Sequence, residues 1–439
     1  MDEVLAQIKA PTFPDKTFSI TDFGAVADGT TDALESIKKA IDKCVVEGGG
    51  KVLIPKGDYL VNGAIHLKSN VNLHISEGAI LKFSTQPSDY LPVVFTRWEG
   101  VELMNYSPLI YAYEQNNIAI TGKGIIDGQA KNENWWSWCG KDTYGWKEGL
   151  PRQQDPESRP KLFKMNEMKT PVEQRVFGED TYLRPNFIQP YKCKNILIEG
   201  ITIKNSPMWV IHPVLSENIT IQDVKVFSHG PNSDGCDPES CKNVLIKNCY
   251  FDTGDDCIAL KSGRNQDGRT IARPIENVVV QDCIMKDVHG GVVIGSEVSG
   301  GARNIFAENC QMDSPNLDRA IRVKTNKTRG GVIENLFFRK IIVGEVKEAV
   351  VKVNMHYTIS SNPDQDFVPT VKNIYIEDVK SSKSKYGILI DGYDEKNKVN
   401  NVQIKNCKFN GVQEGNSIKH ASDLKLEEVY VNGKLVKSD

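Results

Sequence analysis

A short pattern of apolar and polar positions recurs along the chain. It reads asparagine, apolar, any residue, apolar, any residue, polar, apolar. Because apolar and polar positions alternate, each copy predicts a short β-strand with one face buried and the other in water. The copies begin at Asn70, Asn117, Asn195, Asn218, Asn243, Asn277, Asn304, Asn335, Asn373 and Asn401.

The spacing of these copies predicts how the strands are arranged. From Asn195 onward, successive copies start 23, 25, 34, 27, 31, 38 and 28 residues apart. This spacing is typical of a solenoid in which turns of unequal length join the strands of each coil. We therefore expect an all-β fold, a single-domain right-handed parallel β-helix that covers residues 1–439.

Equivalent residues of neighbouring coils lie about 4.8 Å apart in such a solenoid. The repeated asparagines, such as Asn218 and Asn243, are then expected to form a ladder of amide groups. Cys249, Cys283 and Cys310 fall at one repeated position and should stack inside the coils. This placement favours buried thiols over a disulfide framework, but the sequence leaves open whether any disulfide forms.

Both ends of a solenoid expose its apolar interior and need a cap. At about residues 20–50, an amphipathic pattern predicts an N-terminal capping helix. Its apolar face comprises Leu34, Ile37, Ala40, Ile41, Cys44 and Val45. Asp32 and Glu35 have the spacing of a capping box at its start, and Gly48 follows its end. At the other terminus, a turn at Asn432-Gly433 is expected to join two closing strands.

One interval is several times longer than a coil, because 78 residues separate Asn117 from Asn195. The stretch at about 131–183 combines charges and prolines with Trp135, Trp136, Trp138 and Trp146, which is typical of an ordered functional loop. The first three tryptophans could fill the core of the loop or stack on a sugar, and the sequence leaves both open. We expect this insertion to lie near a cleft formed by the coils of residues 195–410.

Composition excludes several classes of function. The chain has 54 Lys and Arg against 57 Asp and Glu, a net charge of −3, so no overall positive field exists to attract nucleic acid. No apolar run approaches the ~20 residues of a membrane span. The first residues show neither the basic leader nor the apolar stretch of a signal peptide. The sequence thus describes either a cytoplasmic protein or an exported one whose signal segment is absent.

Four polar motifs interrupt the strands of consecutive coils. They are Asn232-Ser233-Asp234 with Asp237, Gly254-Asp255-Asp256, His289-Gly290-Gly291 and Arg322-Val323-Lys324. Each alone has an ordinary explanation, such as a solvated turn, a wet strand face or, for Asp234 with Asp237, a turn or a Ca²⁺ ligand pair. Their similar distance from the asparagine of each coil favours a cleft about 14 Å long, enough for a few sugar rings.

Clustered carboxylates beside cations suit the cleavage of a glycosidic bond. Repulsion among the aspartates should keep one protonated near neutral pH while another stays ionised. Glycoside hydrolysis needs that division, and the separation of the carboxyl groups decides between inversion and retention. His289, Arg322 and Lys324, together with Lys261 and Arg264, would hold the carboxylate of an acidic sugar.

These motifs resemble, in order, the signature motifs of the polygalacturonases, glycoside hydrolase family 28. Two further runs, Asn205-Ser206-Pro207-Met208-Trp209 and Asp22-Phe23-Gly24-Ala25, are similar to its bacterial members, so the resemblance covers nearly the whole chain. Val288 and Val323 stand where the family usually has Gly and Ile. The resemblance implies a cofactor-free enzyme that hydrolyses α-1,4-linked galacturonic acid in pectin with inversion.

The resemblance also implies roles for individual residues. Asp255 corresponds to the general acid, and Asp234 and Asp256 to the residues that activate the attacking water. His289 corresponds to a residue that supports the acid and positions substrate. The expected substrate-binding residues are Arg322, Lys324, Lys261, Asn232 and Trp209. No metal site is expected.

The mode of action and the partners remain expectations. If the insertion blocks one end of the cleft, only a chain end fits, which predicts an exo-acting enzyme. The alternatives are a rhamnogalacturonan-directed hydrolase of the same family, a calcium-dependent pectate lyase and a non-catalytic polysaccharide-binding β-helix. We expect a monomer whose partner is a pectic polysaccharide or oligogalacturonide, with no nucleic acid, located outside the cytoplasm in the periplasm or secreted.

Overall fold

The computed structural model describes residues 1–358 and 365–437. The chain winds into a right-handed parallel β-helix with three long faces, which we name sheets A, B and C. Strands of successive coils pair in parallel register, as Ile196 pairs with Ile219 and Ile219 with Val244. The fold class expected from the repeat is confirmed.

Sheet A is formed by the repeated pattern itself. Every repeat asparagine lies in one of its strands or directly before one. The 13 strands are Thr17–Ser19, Gly50–Ile54, Val71–Ile75, Asn116–Gly122, Lys194–Glu199, Glu217–Gln222, Lys242–Lys247, Ile275–Gln281, Ala302–Glu308, Val332–Arg339, Thr370–Glu377, Val399–Lys405 and Ala421–Glu427. Their inward residues are almost all Ile, Val or Leu and supply much of the core.

Sheet B follows sheet A in each coil. Its 14 strands are Asp28–Asp32, Gly57–Val61, Ala79–Phe83, Ile125–Asp127, Thr202–Lys204, Lys225–Ser228, Tyr250–Thr253, Ile284–Met285, Gln311–Met312, Ile342–Glu345, Lys380–Lys383, Lys408–Phe409, Val429–Val431 and Lys434–Val436. The last two are antiparallel. They flank Asn432-Gly433, so the predicted closing hairpin is present.

Sheet C forms the third face in two sections. The strands Ile65–His66, Ile110–Tyr113 and Ile188–Tyr191 form the first section. The second contains Ile258–Leu260, Gly290–Gly295, Arg319–Lys324, Ala349–Asn354, Tyr386–Asp391 and Ser417–Lys419. Isolated bridges join the sections, because Ile211 pairs with Ile188 and Cys236, and Cys236 pairs with Ile258.

The predicted amide ladder runs through all ten repeat asparagines. Each side-chain amide nitrogen donates to the amide oxygen of the preceding asparagine, from Asn117 to Asn401, at 2.9–3.2 Å. All ten residues have φ between 53° and 65°, a left-handed conformation that asparagine tolerates better than most residues. The repeat therefore selects asparagine both for its backbone and for its amide.

The interior beneath this ladder is apolar and includes the cysteines. All ten cysteines are buried, and none is bonded in a disulfide. Burial raises the pKa of several of these thiols, as for Cys407 to about 11. They behave as small apolar side chains of the core.

The N-terminal end of the solenoid carries the helix α2 (Leu34–Val46), whereas the short helix α1 (Asp2–Leu5) packs against the sheet A strands Lys242–Lys247 and Ile275–Gln281. Five of the six predicted apolar residues of α2 are buried, namely Leu34, Ile37, Ala40, Ile41 and Cys44. Val45 is 39% exposed, because it lies at the edge of the apolar face. This helix covers the first coil, as the sequence pattern predicts.

The predicted capping box at the start of α2 is wrong in detail. The Oδ1 atom of Asp32 accepts from the backbone N–H groups of Leu34 and Asn62, each at 3.0 Å. Glu35 does not complete the box, because its carboxylate binds Lys38 one turn further on at 2.8 Å. Asp32 thus joins the helix to the strand Gly57–Val61 that precedes Asn62.

The long insertion is ordered and partly helical. It contains α3 (Arg159–Glu167), which packs against α4 (Asn265–Ile271), and an antiparallel hairpin, Val94–Trp98 and Val101–Asn105, lies next to it. Short 3₁₀ turns occupy Ile20–Phe23, Pro87–Tyr90, Trp135–Cys139, Asp142–Tyr144 and Val172–Gln174. No helix in the described parts of the chain is both long and apolar enough to cross a lipid bilayer.

The tryptophans of the insertion fill its interior. Trp135 is only 1% exposed and contacts the edge of Trp138, with ring centroids 4.9 Å apart. The indole N–H of Trp136 donates to the carbonyl of Ser206 at 2.9 Å. Of the two uses that the sequence left open for these side chains, the structure shows packing.

Candidate active site

The four polar motifs lie at one corner of the solenoid, between sheets B and C. In three successive coils, the turn that joins the two sheets carries Asp234, then Asp255 with Asp256, then His289. Backbone hydrogen bonds tie these turns together, since Cys236 donates to Cys257 at 3.0 Å and Cys257 to Gly290 at 2.8 Å. The next coil adds Arg322 and Lys324 from the strand Arg319–Lys324. The structure thus brings the motifs to one face, as their spacing predicts.

Three carboxylates meet at the centre of this corner. One oxygen from each of Asp234, Asp255 and Asp256 lies within 4.8 Å of the others. Asp256 is fully buried and Asp234 is 3% exposed, whereas Asp255 is more accessible. The three carboxyl groups are thus close enough for their charges to interact.

Two cations hold Asp256 in its ionised form. The ammonium group of Lys324 donates to Oδ2 of Asp256 at 2.6 Å, and Nη1 of Arg322 lies 3.7 Å from Oδ1. Burial alone would raise the pKa of Asp256, but the charges of Lys324 and Arg322 outweigh it and keep the pKa below the usual value. Asp256 is therefore a carboxylate at neutral pH.

Asp234 has the opposite electrostatic environment. Burial, and then the charges of Asp237 and Asp255, raise the pKa of Asp234 well above its ordinary value. Burial likewise raises the pKa of Asp237 to about 8. The division into protonated and ionised aspartates that the sequence predicts is present, with Asp234 on the protonated side.

Lys261 links this cluster to a carboxylate that the sequence did not single out. Its ammonium group lies 3.6 Å from Asp234, 3.5 Å from Asp237 and 3.4 Å from Glu297. Glu297 follows the strand Gly290–Gly295 in the next coil, so no local motif connects it with Lys261. Lys261, which the sequence analysis predicts to bind substrate, is thus already shared among three acidic side chains.

His289 is held by a second unpredicted carboxylate. Its Nδ1 atom is 3.0 Å from Oδ2 of Asp318, and Arg319 donates to the same oxygen at 3.0 Å. The hydrogen bond to Asp318 raises the pKa of His289, with a further contribution from the charge of Asp255. The contact favours the imidazolium form near the acidic cluster.

Tyr357 is a further cleft residue that the sequence reasoning missed. Its ring lies 5.4 Å from the guanidinium carbon of Arg322 and 5.4 Å from the ammonium nitrogen of Lys324. Such contacts orient cations through the negative ring face. Tyr357 lies in an irregular segment outside the repeated strands. A single tyrosine at such a position gives no sequence signal.

Asn232 and Trp209 occupy the cleft wall in different ways. Oδ1 of Asn232 accepts from Nη2 of the fully buried Arg184 at 2.7 Å, which ties the Asp234 turn to the insertion. Trp209 is only 3% exposed, and its ring lies 4.4 Å from the ammonium group of Lys261. The ring therefore supports a cation and offers little surface for stacking on a sugar.

A cavity of about 300 Å³ lies over these residues. Glu99, at the tip of the hairpin, and Arg159 of α3 line one side of it. A Cβ atom at Gly100 (φ +82°) would lie 2.8 Å from Cβ of Arg264, so glycine is required at this close approach. We call this part of the cavity the end wall.

The end wall has its own small hydrophobic core. It comprises Trp98, Val101, Leu103, Leu162, Phe163, Phe177, Leu183, Met208 and Trp209. Asn166 of α3 also donates to the carbonyl of Arg264 at 3.1 Å and accepts from the backbone N–H of Asp267 at 2.9 Å. These contacts fix α3 against the coils, so the wall is a packed element.

Among residues 1–358 and 365–437, two groups of side chains have the spacing of metal ligands. One is the aspartate trio, but the ammonium groups of Lys324 and Lys261 already compensate Asp256 and Asp234. The other comprises His229, Asp252 and Asp287 on the outer surface beside the cleft. The chemistry of the cleft thus pairs its carboxylates with protein cations.

Comparisons with known proteins agree with this site. A family model described as glycosyl hydrolases family 28 matches residues 174–422, and one described as rhamnogalacturonase A/epimerase, pectate lyase-like, matches residues 17–82. An exo-poly-α-D-galacturonosidase of Dickeya chrysanthemi is 30% identical over 90% of this chain and 68% of its own. A probable polygalacturonase of Vitis vinifera is 28% identical over 85% and 70%.

A solved structure is more similar still. The crystal structure of an exopolygalacturonase from Thermotoga maritima is 46% identical in sequence, with a TM-score of 0.94. The match covers 99% of this chain and 95% of that one. The chain belongs to glycosyl hydrolases family 28. It is a glycoside hydrolase built on a parallel β-helix.

Proposed function

We propose that this enzyme is an exo-acting polygalacturonase, which removes galacturonic acid units from one end of α-1,4-linked chains of pectin. One observation carries the proposal: Glu99 and Arg159 line the same cavity as Asp234 and Asp255. We infer that the end wall blocks the cleft on that side. An internal segment of a polymer would have to leave this cavity at both ends, whereas a chain end fits within it. Related exopolygalacturonases support the same mode of action.

We assign the proton transfers to the three aspartates. Asp255, the most accessible of them, donates a proton to the leaving oxygen. The ionised Asp256 takes a proton from the attacking water, and Asp234 holds that water beside it. The low pKa of Asp256 supports its role as the proton acceptor, and the high pKa of Asp234 leaves it able to hold the water through a hydrogen bond.

The cations serve the acidic substrate. Arg322 and Lys324 bind a galacturonate carboxylate next to the cleaved bond, and His289 positions the sugar beside Asp255. Nε of Arg322 is buried and has no hydrogen-bond acceptor among the described residues, which supports a role in binding an anion. Lys261 contributes mainly by orienting Asp234, given its three acidic neighbours.

A time course on polygalacturonate tests the proposal. Early release of monomer, with no ultraviolet absorbance from unsaturated sugar and no effect of a chelator, is the expected result. Long oligomers as first products would contradict exo-action, and unsaturated products would indicate a lyase. Activity only on rhamnogalacturonan would show that the substrate is that part of pectin.

The anomeric form of the first product tests the stereochemistry. We propose inversion, in line with the family resemblance. Proton NMR of freshly released galacturonic acid should show the β-anomer, and the α-anomer would show that a covalent intermediate forms.

The substrate also bears on location. A pectic polymer is too large to cross a membrane intact, so we place the enzyme outside the cytoplasm, in the periplasm or the surrounding medium. Fractionation of cells that produce the protein, followed by immunodetection, tests this. Detection in the cytoplasm alone would instead favour short oligogalacturonides as substrate.

A further inference from the structure

A buried polar network near Lys261 has no part in the proposed proton transfers. His212 and Glu239, both fully buried, form its centre. Nε2 of His212 lies 2.8 Å from Oε2 of Glu239, and the other oxygen of Glu239 accepts from Nη1 of the buried Arg97 at 3.2 Å. Burial would raise the pKa of Glu239, but the charge of Arg97 outweighs it and keeps the pKa low. The network thus holds an ionised carboxylate away from solvent.

The hydrogen bonds determine which nitrogen of His212 carries the proton. The side-chain amide nitrogens of Asn186 and Gln189 each donate to the carbonyl of Arg97 at 3.2 Å. The same nitrogens lie 3.1 and 3.0 Å from Nδ1 of His212. Because an amide nitrogen only donates, Nδ1 accepts, and the proton on Nε2 is donated to Glu239. Burial lowers the pKa of His212, so the ring is neutral at neutral pH and three hydrogen bonds hold it in one orientation.

The oriented imidazole of His212 packs against Trp209. The two ring planes are inclined at 89° with centroids 4.8 Å apart, an edge-to-face contact. The indole of Trp209 also contacts Lys261, whose ammonium nitrogen lies 4.4 Å from its ring centroid. Glu239 and Lys261 occupy equivalent positions of neighbouring coils, because their backbones pair in a parallel bridge. The network and Lys261 therefore lie side by side, with the indole in contact with both.

The acidic neighbours of Lys261 do not fix its position by themselves. Its ammonium nitrogen lies 3.4–3.6 Å from one oxygen of each of them, Asp234, Asp237 and Glu297. A tight hydrogen bond between an ammonium and a carboxylate is about 2.7–2.9 Å long. Three contacts that are long and nearly equal leave the ammonium group free to shift towards any one carboxylate. The ring of Trp209 limits this shift, because it occupies the space beside the ammonium group.

We propose that His212 and Glu239 are positioning residues for the hydrolysis. They hold Trp209 against Lys261, so that the ammonium group stays beside Asp234. The inference deepens the proposed function and rests on it. A shift of the ammonium group changes the charge and the orientation of Asp234, the residue that holds the attacking water. Because His212 and Glu239 are fully buried and do not touch substrate, their effect falls on the rate of cleavage and not on substrate binding.

Kinetics of His212→Gln on trigalacturonate test the inference. Glutamine keeps an N–H donor for Glu239 but lacks the ring that contacts Trp209. The value of kcat should fall about 10-fold, while KM changes by less than about twofold. His74→Gln is the matched control, because Nδ1 of His74 bonds the hydroxyl of Thr121 at 2.9 Å on sheet A, and it should leave kcat unchanged. An unchanged kcat in His212→Gln, or a loss confined to KM, would overturn the inference.

Glu239→Gln tests the network without a change at His212. Glutamine keeps an acceptor for Nε2 of His212 but loses the charge that pairs with Arg97, so the imidazole is held less firmly. The value of kcat should fall about threefold, again with little change in KM. Activity equal to that of the wild-type protein would contradict the role of Glu239.

Variants of Trp209 show whether the effect passes through its ring. Trp209→Phe keeps an aromatic face beside Lys261 and should retain most of kcat, whereas Trp209→Leu should lower kcat about 10-fold. In the Trp209→Leu background, His212→Gln should cause less than about twofold further loss, because the ring that it orients is already absent. Two losses that multiply would show that His212 acts independently of Trp209, as a merely structural residue does, and would overturn the inference.

Crystal structures of the wild-type protein and His212→Gln separate failure of this inference from failure of the proposed function. In the variant, the ammonium group of Lys261 should be displaced by about 1 Å relative to Asp234. If the displacement is present but the wild-type protein does not hydrolyse trigalacturonate, the proposed function fails and the positioning of Lys261 stands. If both proteins hydrolyse trigalacturonate equally and Lys261 is not displaced, the inference fails and the proposed function stands.

Discussion

The same coils form two very different edges, the asparagine ladder of sheet A and the cleft between sheets B and C. At the ladder, each coil repeats one residue type, and an amide can stack on itself because it carries both a donor and an acceptor. At the cleft, neighbouring coils present unlike groups, such as Asp256 beside Lys324. Repetition gives stability at the ladder, and departure from repetition gives chemistry at the cleft.

The comparison also shows what each edge requires from the rest of the chain. Ladder residues need only their neighbours in the stack. Cleft residues need partners from distant segments, because buried charges of one sign are unstable unless opposite charges accompany them. Arg184 and Arg159 reach the cleft from the insertion, and Glu297 reaches Lys261 from another coil.

The largest expected effect comes from Asp255→Asn at the cleft. An amide cannot donate a proton to the leaving oxygen, so kcat should fall by at least about 10³-fold while KM changes little. Steady-state kinetics on trigalacturonate provide the measurement. Asp252→Asn makes the same change three residues earlier, where the side chain pairs with His229 on the surface, and should leave kcat within twofold. Comparable losses in both variants would refute the role of Asp255.

The next effect is on stability, through Lys261→Met. The change removes one of the three cations beside the ionised Glu297, which should lower the free energy of unfolding by ~1.5–3 kcal/mol. Thermal or denaturant unfolding at pH 7 measures it. Lys242→Met serves as the surface control, because its ammonium group is 44% exposed and 3.6 Å from Glu276. For Lys242→Met, the expected loss of unfolding free energy is below about 1 kcal/mol.

At the ladder, Asn335→Ala should cost about 2 kcal/mol and leave kcat unchanged. The variant loses hydrogen bonds to Asn304 at 3.2 Å and from Asn373 at 3.0 Å, and alanine is strained at φ 57°. Asn335→Gly is the matched variant, since glycine accepts this backbone and loses only the hydrogen bonds. If alanine and glycine destabilise equally, the left-handed backbone contributes nothing to the choice of asparagine.

The smallest effect is the pH dependence of the His289–Asp318 pair. Because folding raises the pKa of His289, the pair stabilises the protein below the unfolded pKa of about 6.5, and this stabilisation is lost as the pH rises through the folded value. The destabilisation by Asp318→Asn should therefore be larger at pH 5.5 than at pH 9. Unfolding midpoints at the two pH values measure it, and equal losses at both would show that Asp318 acts mainly through Arg319.

The ladder was predictable from sequence and the complete cleft was not, for the same physical reason. Asn218 and Asn243 recur at coil spacing, so the pattern reveals both the strand and the stack. Asp255 and His289 interrupt that pattern at matching positions, which makes them visible too. Glu297 and Tyr357 act through contacts between coils, and a single occurrence of such residues leaves no periodic signal.

Short local motifs predict the structure less reliably than the repeated pattern does. The spacing of Asp32 and Glu35 predicts a capping box, but Lys38 competes for the glutamate and Asn62 shares the aspartate. The tryptophans of the insertion gave no periodicity, so their packing emerged only from the folded structure. In both cases, the deciding partners lie outside the motif.

The end wall implies that different parts of this protein determine the cleavage reaction and the length of the product. The coils carry the aspartates, whereas in the proposed exo-acting mode the hairpin and the insertion limit how far the chain end extends past them. A shorter hairpin tip than Glu99-Gly100 would admit one more sugar and release a dimer without any change to Asp255. The position of the end wall can therefore change independently of the catalytic aspartates.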